Sequence, residues 1–398
     1  MNRTTTQTWT FLLTFALTGA AFAQEQKLPQ GVDVSSSTFR AERRDFIDDY
    51  LSRLHLPAGF KINVFAKDVG KPRMIAIADD GTVYITRRSN DVVALKDTDG
   101  YGRSDEMKVV LKDFPQVHGI ALRGNQVYLA TPAEVWVSER NSDATLSKPR
   151  KIAEGLPNGG QHSSRTLGIG PDEMLYINVG STCNNCIEVN KESATLQRMA
   201  LDGKSRATYA KGLRNTLGFG WHPQTHEMWG MDHGTDFLGN DVPPEELNRI
   251  SEGKDYGWPR CFGQQRIDPT RDQPEGMTRE AFCAKTEPSA LDFPAHSSPL
   301  GFVFYTGNQF PAEYRNDAFV ALHGSWNRNP PSGFKVVHVK FENGKATRYE
   351  DFVTGFTLEN GAAQFGRPTG LAIAKDGALL LTDDSNGVVY RISYDASR

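Results

Sequence analysis

Histidine and arginine recur in this 398-residue chain within short polar segments, each set just ahead of an apolar run. "QVHG" (116–119) carries His118, "QHSSR" (161–165) carries His162, and "LRNTLGF" (213–219) carries Arg214 and Asn215. "HSSPLGF" (296–302) adds His296, "FGRPTGL" (365–371) adds Arg367, and "KPRM" (71–74) opens the series. Histidine titrates near neutrality and can act as a general base. Arginine presents a fork of donors that matches a carboxylate, so a pair of arginines points to an anionic ligand. "MDHGTDFLGNDVPPEELN" (231–248) brings carboxylates and exposed carbonyls on a Gly-rich loop, the oxygen-rich chemistry that calcium takes. That loop has no EF-hand pattern, and an acidic surface loop fits its residues equally well. Each arginine alone reads as a solvated charge; six polar loops converging on one place are a stronger signal.

The elements that would make them converge are short strands. From Pro57 onward an apolar strand, a polar turn and a second apolar strand recur, with turns in "ADDGTVYIT", "LRGNQVYLA", "GPDEMLYIN", "HPQTHEMWG", "YRNDAFVAL" and "AKDGALLLT". A further strand follows each, giving six like units. Successive turn markers lie 43 to 59 residues apart, apart from one gap of 92. The shorter spacings suit one four-stranded propeller blade, and the long gap implies an insertion at roughly 235–300, between blades four and five. The expected fold is therefore an all-β, six-bladed β-propeller over 57–398, with the polar loops at one mouth of its channel. "GFKINVFA" (59–66) is expected to pair with the last blade and close the ring, which removes exposed strand edges. A β-sandwich is the next-best fold but does not call for six like units. Helical periodicity is confined to 39–54, an amphipathic helix within an N-terminal extension spanning 24–56.

A hydrophobic fraction of 38% and a net charge of −3 suit a folded chain with a large core and give no electrostatic case for a nucleic-acid partner. Residues 1–23 read as a signal peptide, with Arg3, the apolar run "WTFLLTFALTGA" and a small-x-small site before Gln24. No later segment is long and apolar enough to span a bilayer, so a periplasmic or secreted location is expected. In that oxidising setting Cys183–Cys186 and Cys261–Cys283 are the favoured disulfides, with half a zinc site as the alternative for "CNNC". The G-x-S-x-G, H-E-x-x-H, P-loop and dinucleotide patterns are all missing from the sequence, which removes the usual supports for hydrolase, zincin and nicotinamide readings.

Several segments carry a resemblance. "HSSRTLGIGPDEMLYINVGSTCNNC", "GLRNTLGFGWHPQTHEMWGMDHGTDFLGNDVPPEELNRI", "GKDYGWPRC", "HSSPLGFVFY", "ALHGSWNR" and "GRPTGLAIAKDGALLLTDD" are similar to the soluble pyrroloquinoline quinone (PQQ)-dependent sugar dehydrogenases, nearest their L-sorbosone dehydrogenase-like branch. The resemblance spans about residues 55–394, and that family folds as six-bladed propellers.

It implies PQQ and calcium as cofactors and a sugar or sugar aldehyde as substrate. His162 matches the base that removes the hydroxyl proton as hydride passes to the quinone. Arg214 matches the arginine that stabilises developing negative charge, and Asn215 a hydrogen-bond partner of the cofactor. Arg367 matches a cofactor arginine, with His118 at the same mouth, and the carbonyls of Gly234 and Thr235 match calcium ligands. Glucose-oxidising members carry an aspartate where this chain has Ser181, so the partner that orients His162 differs. The family's cofactor lysine has no direct counterpart; "LHGSWNR" offers His323 or Arg328, of which Arg328 is expected to serve. No C-x-x-C-H haem motif occurs, so the electron acceptor, such as a cytochrome, would be a separate protein. A calcium-dependent propeller lactonase and a non-catalytic propeller binding module are the alternatives.

Overall fold

The computed structural model describes residues 35–395. The expected signal peptide and cleavage site lie outside the described residues. Within them the chain forms six four-stranded antiparallel sheets, plus a three-stranded and a two-stranded ribbon. The first sheet starts at Pro72–Ile77, the second at Gly119–Arg123, the third at Leu167–Ile169, the fourth at Gly218–Trp221, the fifth at Pro299–Phe304 and the sixth at Pro368–Ile373. The turn after each of these strands contains a residue in the left-handed region, among them Gly81, Gly124, Glu173, His226, Asn316 and Gly377. That is the conformation a tight hairpin demands, and it explains why polar and glycine-rich turns marked the repeat.

The first strands meet in a closed ring, each touching the next. Glycine permits the approach: a Cβ at Gly119 would lie 2.8 Å from the Arg165 carbonyl, one at Gly218 2.7 Å from that of Leu300, and one at Gly370 2.4 Å from that of Arg73. Gly301 meets Thr369, Gly168 meets Phe219, and Thr86 Oγ1 donates to the His118 carbonyl at 2.7 Å, which completes the circuit. Second strands such as Ala318–Leu322 and Leu379–Asp383 are buried along their whole length, because a sheet packs on either face. Their sequences accordingly run nearly continuously apolar instead of alternating. The fourth strand of the first sheet, Glu106–Leu111, is largely exposed. Phe60–Ala66 pairs antiparallel with Val388–Tyr394, so an N-terminal strand completes the sixth sheet, as its sequence position suggested.

Two expectations need correction. The amphipathic helix at 39–54 is not formed; only Asp48–Arg53 turns, as a 3-10 helix. Glu42–Arg43 instead pairs in parallel with Ala363–Gln364, and the amides of Phe39 and Arg44 donate to the carbonyls of Trp326 and Gln364. Phe46, and Tyr50 and Leu51 of the 3-10 turn, pack on the core of the fifth and sixth sheets, a case of tertiary contacts overriding local propensity. The insertion does not lie between the fourth and fifth sheets. It interrupts the fourth, whose last strand, Leu291–Phe293, returns to pair with Glu245–Ile250. It is stapled by the Cys261–Cys283 disulfide and by the short helix Arg279–Cys283, capped by Thr278.

Candidate active site

The polar loops gather at one end of the ring, held by a recurring device. The last residues of the second strands are buried polar groups that accept the amides of the loop leading into the first strand. Asp232 takes the amides of Arg214 and Asn215, each at 2.8 Å, and the Thr216 hydroxyl. Asp383 takes that of Arg367 at 2.8 Å, Asn178 that of Thr166, and Thr86 that of Met74. Burial pushes Asp232 up to about 6 and Asp383 up to about 7, against the pull of these N–H groups.

From these anchors the side chains form a hydrogen-bonded belt around the mouth. Arg367 donates to the carbonyls of His323 and Gly324 at 3.2 and 2.8 Å. His323 Nε2 lies 2.7 Å from Asp384, and Asp384 pairs with Arg73 at 2.7 Å. Arg73 reaches His118 Nε2 at 3.4 Å, and His118 Nδ1 donates to the Arg165 carbonyl at 3.0 Å. Arg165, fully buried and bonded only to carbonyls, donates to the backbone oxygen of His162 at 2.7 Å. Arg214 pairs with Asp236 at 2.9 Å, Asn327 donates to Asp236 at 2.6 Å, and His296 lies beside Asn327.

His162 is the belt's free base. Its Nδ1 meets Ser181 Oγ at 2.8 Å and the Ser181 carbonyl at 3.0 Å, which commits the proton to Nδ1. Among the described residues Nε2 has no hydrogen-bond partner. Burial, then the positive charge of Arg214 and the neighbouring His233, holds His162 well below its ordinary value. The ring is therefore neutral and able to accept a proton at Nε2. His118 is also neutral, lowered to about 3 by burial and by Arg73, but both its nitrogens are engaged. Asp384 differs: burial opposes its charge, yet His323 and Arg73 keep it well below the carboxylate range.

The structure brings together His118, His162, Arg214, Asn215, His296 and Arg367. Gly234 and Thr235 lie beside the belt on the loop after Asp232. The Gly234 amide donates to Glu245 at 2.8 Å and Trp258 Nε1 donates to Thr235 Oγ1 at 3.2 Å. Neither carbonyl accepts a hydrogen bond among the described residues, which leaves both available to a cation. Arg328 stands apart, tied to Asp241 and the Ala295 carbonyl on an outer groove with Lys335 and Asp351. His323 occupies the belt instead. Beside Arg367 opens a cavity of about 310 Å³ lined by Arg40, Trp326, Phe334 and Gln364, with no carboxylate in its wall.

The sequence profile of the TrAA12-like family matches residues 54–395. The chain belongs to that family. A TrAA12-like architecture is also what solved structures share with it. A calcium-containing structure of the Trichoderma reesei carbohydrate-active enzyme family AA12 superposes with a TM-score of 0.76 at 20% identity, covering 91% of this chain and 98% of that one. Among sequence relatives, an uncharacterized protein of Borreliella burgdorferi is 33% identical over 91% of this chain and 95% of its own length. A pyrroloquinoline quinone-dependent pyranose dehydrogenase of Coprinopsis cinerea is 23% identical over 85% of this chain; the chain spans 54% of that protein's length. The fold is thus a β-propeller of the TrAA12-like kind.

Arg73, Asp384 and Asp236 complete the belt but were not singled out by sequence reasoning. Arg73 sat in "KPRM", a segment with the right offset, and Asp236 in the carboxylate-bearing 231–248 loop, read for calcium; Asp384 follows a second strand, where attention to loops before first strands does not reach. Beneath the 231–248 loop, burial and then the charge of Asp232 push Glu246 up to about 8. Its ordinary value is 4.5, so it is protonated in the fold at neutral pH and ionised in the unfolded chain. Its contribution to stability is present below pH 4.5 and is lost as pH rises through about 8. Glu246→Gln keeps an acceptor for the Gly263 amide, and its new amide group requires Asn248, whose Nδ2 donates to the Glu246 carboxyl, to turn over and present Oδ1 instead. Without added calcium, the variant's drop in Tm between pH 5.5 and 8.5 should be smaller than that of wild type, by about 1–2 °C for each kcal/mol relieved in a chain of this length. Equal slopes in thermal denaturation would refute this.

Proposed function

We propose that this protein is an exported quinoprotein dehydrogenase that oxidises a sugar or sugar aldehyde, with PQQ and calcium as cofactors and the six sheets as blades of one propeller. The observation that carries the reading is His162: neutral by burial, oriented through Nδ1, open at Nε2 and adjacent to Arg214. A base in that state fits removal of a hydroxyl proton. Two cofactor-sized features agree with a planar tricarboxylate. Arg73 Nε is buried and has no partner, and the cavity beside Arg367 is lined with cations and aromatics without any acid. The free carbonyls of Gly234 and Thr235 suit the oxygen preference of calcium. The PQQ-dependent name of the Coprinopsis relative supports the same cofactor.

Bound PQQ would supply the hydride acceptor. The chain's own part is to hold it through Arg73, Arg367, His323 and Asn215, to take the hydroxyl proton at His162 Nε2, and to set the Arg214 charge beside the reacting carbon. Both disulfides among the described residues are consistent with export, and no helix there is long and apolar enough to cross a membrane. The likeness to the sorbosone branch favours a sugar aldehyde, with electrons passing to a separate acceptor protein.

The test is direct. Purified protein is loaded with PQQ and calcium, and the quinone absorbance is followed as aldoses and sugar aldehydes are added. Bleaching by one of them supports the reading. Tight PQQ binding with no bleaching by any of them, or lactone hydrolysis without PQQ, overturns it.

A further inference from the structure

A ring of four residues, closed by the Cys183–Cys186 disulfide, bonds Arg214 directly and reaches His162 through Ser181. On the His162 side, the Ser181 hydroxyl donates to the Cys183 carbonyl at 2.7 Å. A hydroxyl has one proton, so with that proton committed Ser181 Oγ can only accept from His162 Nδ1. On the other side, the carbonyl and the side-chain oxygen of Asn184 accept from Arg214 Nε and Nη2, each at 2.9 Å. Asn184 also grips Arg214's ion-pair partner, taking the Asp236 amide at 2.8 Å and donating to its carbonyl at 3.0 Å. The ring is fixed from behind, where Asn185 donates to Asp268 at 2.9 Å.

We propose that the disulfide ring is a positioning element for the reaction, with Asn184 the positioning residue for Arg214 and the Cys183 carbonyl the group that keeps the Ser181 hydroxyl an acceptor, beside the Ser181 carbonyl, for His162 Nδ1. The proposal rests on reading His162 as the base. Loop-closure stabilisation is smallest for the shortest loops, so a cross-link across two residues acts chiefly on local order. Opened, the loop lets the Cys183 carbonyl leave Ser181. The freed hydroxyl can then turn and donate to Nδ1 in competition with the Ser181 carbonyl, which shifts part of the histidine proton to Nε2 and weakens the base. Asn184 loses its fixed distance to Arg214 at the same time.

The experiment compares wild type, Asn184→Ala and the double variant Cys183→Ala/Cys186→Ala. The first readout is the ¹⁵N spectrum of His162 in the protein without PQQ, its signals identified with His162→Gln. Wild type should show the Nδ1–H tautomer and the double variant a mixture or the Nε2–H form. The second is steady-state turnover with saturating PQQ and calcium, where both variants should lose about 10–100-fold in kcat, as is usual when a group that orients an active-site ligand is removed. PQQ affinity, measured by fluorescence titration, should not change. A folded double variant that keeps the Nδ1–H tautomer overturns the proposal, as does a loss of PQQ affinity that accounts for the whole fall in rate. If the double variant does not fold, Asn184→Ala decides by its kcat alone, full turnover being the contrary result. His162→Ala run in parallel separates the two ideas: if it retains turnover the base reading fails, whereas the tautomer spectrum still reports on the ring.

Discussion

His162→Ala should bind PQQ as wild type does and turn over about 10²–10⁴-fold more slowly, the usual worth of a positioned acid–base group. The affinity should hold because the belt's cations and the carbonyls of Gly234 and Thr235 remain, and the His162 ring makes no hydrogen bond to any of them. The rate should fall because the ring nitrogen that stands open beside Arg214 is lost, while His118 and His296 have both ring nitrogens engaged. The pH profile adds a second constraint. Ser181 accepts the Nδ1 proton without offering charge to an imidazolium, and burial beside Arg214 disfavours the protonated ring. The acid limb of kcat should therefore lie below the ordinary histidine value of 6.5, and turnover should persist into mildly acidic solution. Steady-state kinetics from pH 4.5 to 8 on loaded wild type and variant is the measurement. Near-full turnover by the variant, or a wild-type limb above that value, means that His162 is channel lining.

What the sequence disclosed about this site follows from what each residue must satisfy locally. Turns between first and second strands need a left-handed residue, so they write glycine, asparagine or aspartate at regular spacing, and the repeat was legible. The loops before the first strands were legible because polar residues stand out against apolar strands; they yielded His118, His162, Arg214, Asn215, His296 and Arg367. Partners that complete the belt come from elsewhere in the chain. Asp384 lies 311 residues from Arg73, and Asp236 lies 91 from Asn327, separations that no local pattern records. Arg328 and His323 illustrate the limit. Both sit in "LHGSWNR", and charge alone favoured the arginine; only the fold turns Arg328 outward to Asp241 and His323 inward to Asp384. The helix at 39–54 shows the same limit from the other side. Its apolar residues do reach the core, but from a single 3-10 turn and an extended strap before it, whose amides are taken by Trp326, Ala362 and Gln364.

Arg73→Ala should have the opposite signature to His162→Ala: weaker PQQ binding with turnover intact once the cofactor saturates. Arg73 is 4% exposed, pairs with Asp384, leans on His118, and keeps Nε without a partner. A buried guanidinium with a donor to spare is suited to a ligand carboxylate. Losing a hydrogen bond to a charged group costs about 1.5–3 kcal/mol, so the PQQ dissociation constant should rise roughly 10–150-fold. The alanine variant also strips Asp384 of a guanidinium that, with His323 and Arg367, holds it well below the carboxylate range. Asp384→Asn tests the same pairing with the reverse sign. It removes the negative charge between Arg73, His323 and Arg367, so PQQ should bind at least as well. The cofactor-free protein should meanwhile lose about 3–5 kcal/mol of stability, because a buried cation has been left without its partner. Thermal denaturation with and without PQQ measures both effects: the Asp384→Asn loss should be largely restored by PQQ and the Arg73→Ala protein should gain least from it. If Arg73→Ala binds PQQ with wild-type affinity, the pair is a brace between the first and sixth sheets, and the carboxylates of the cofactor must be met by Arg367 and Arg40 alone.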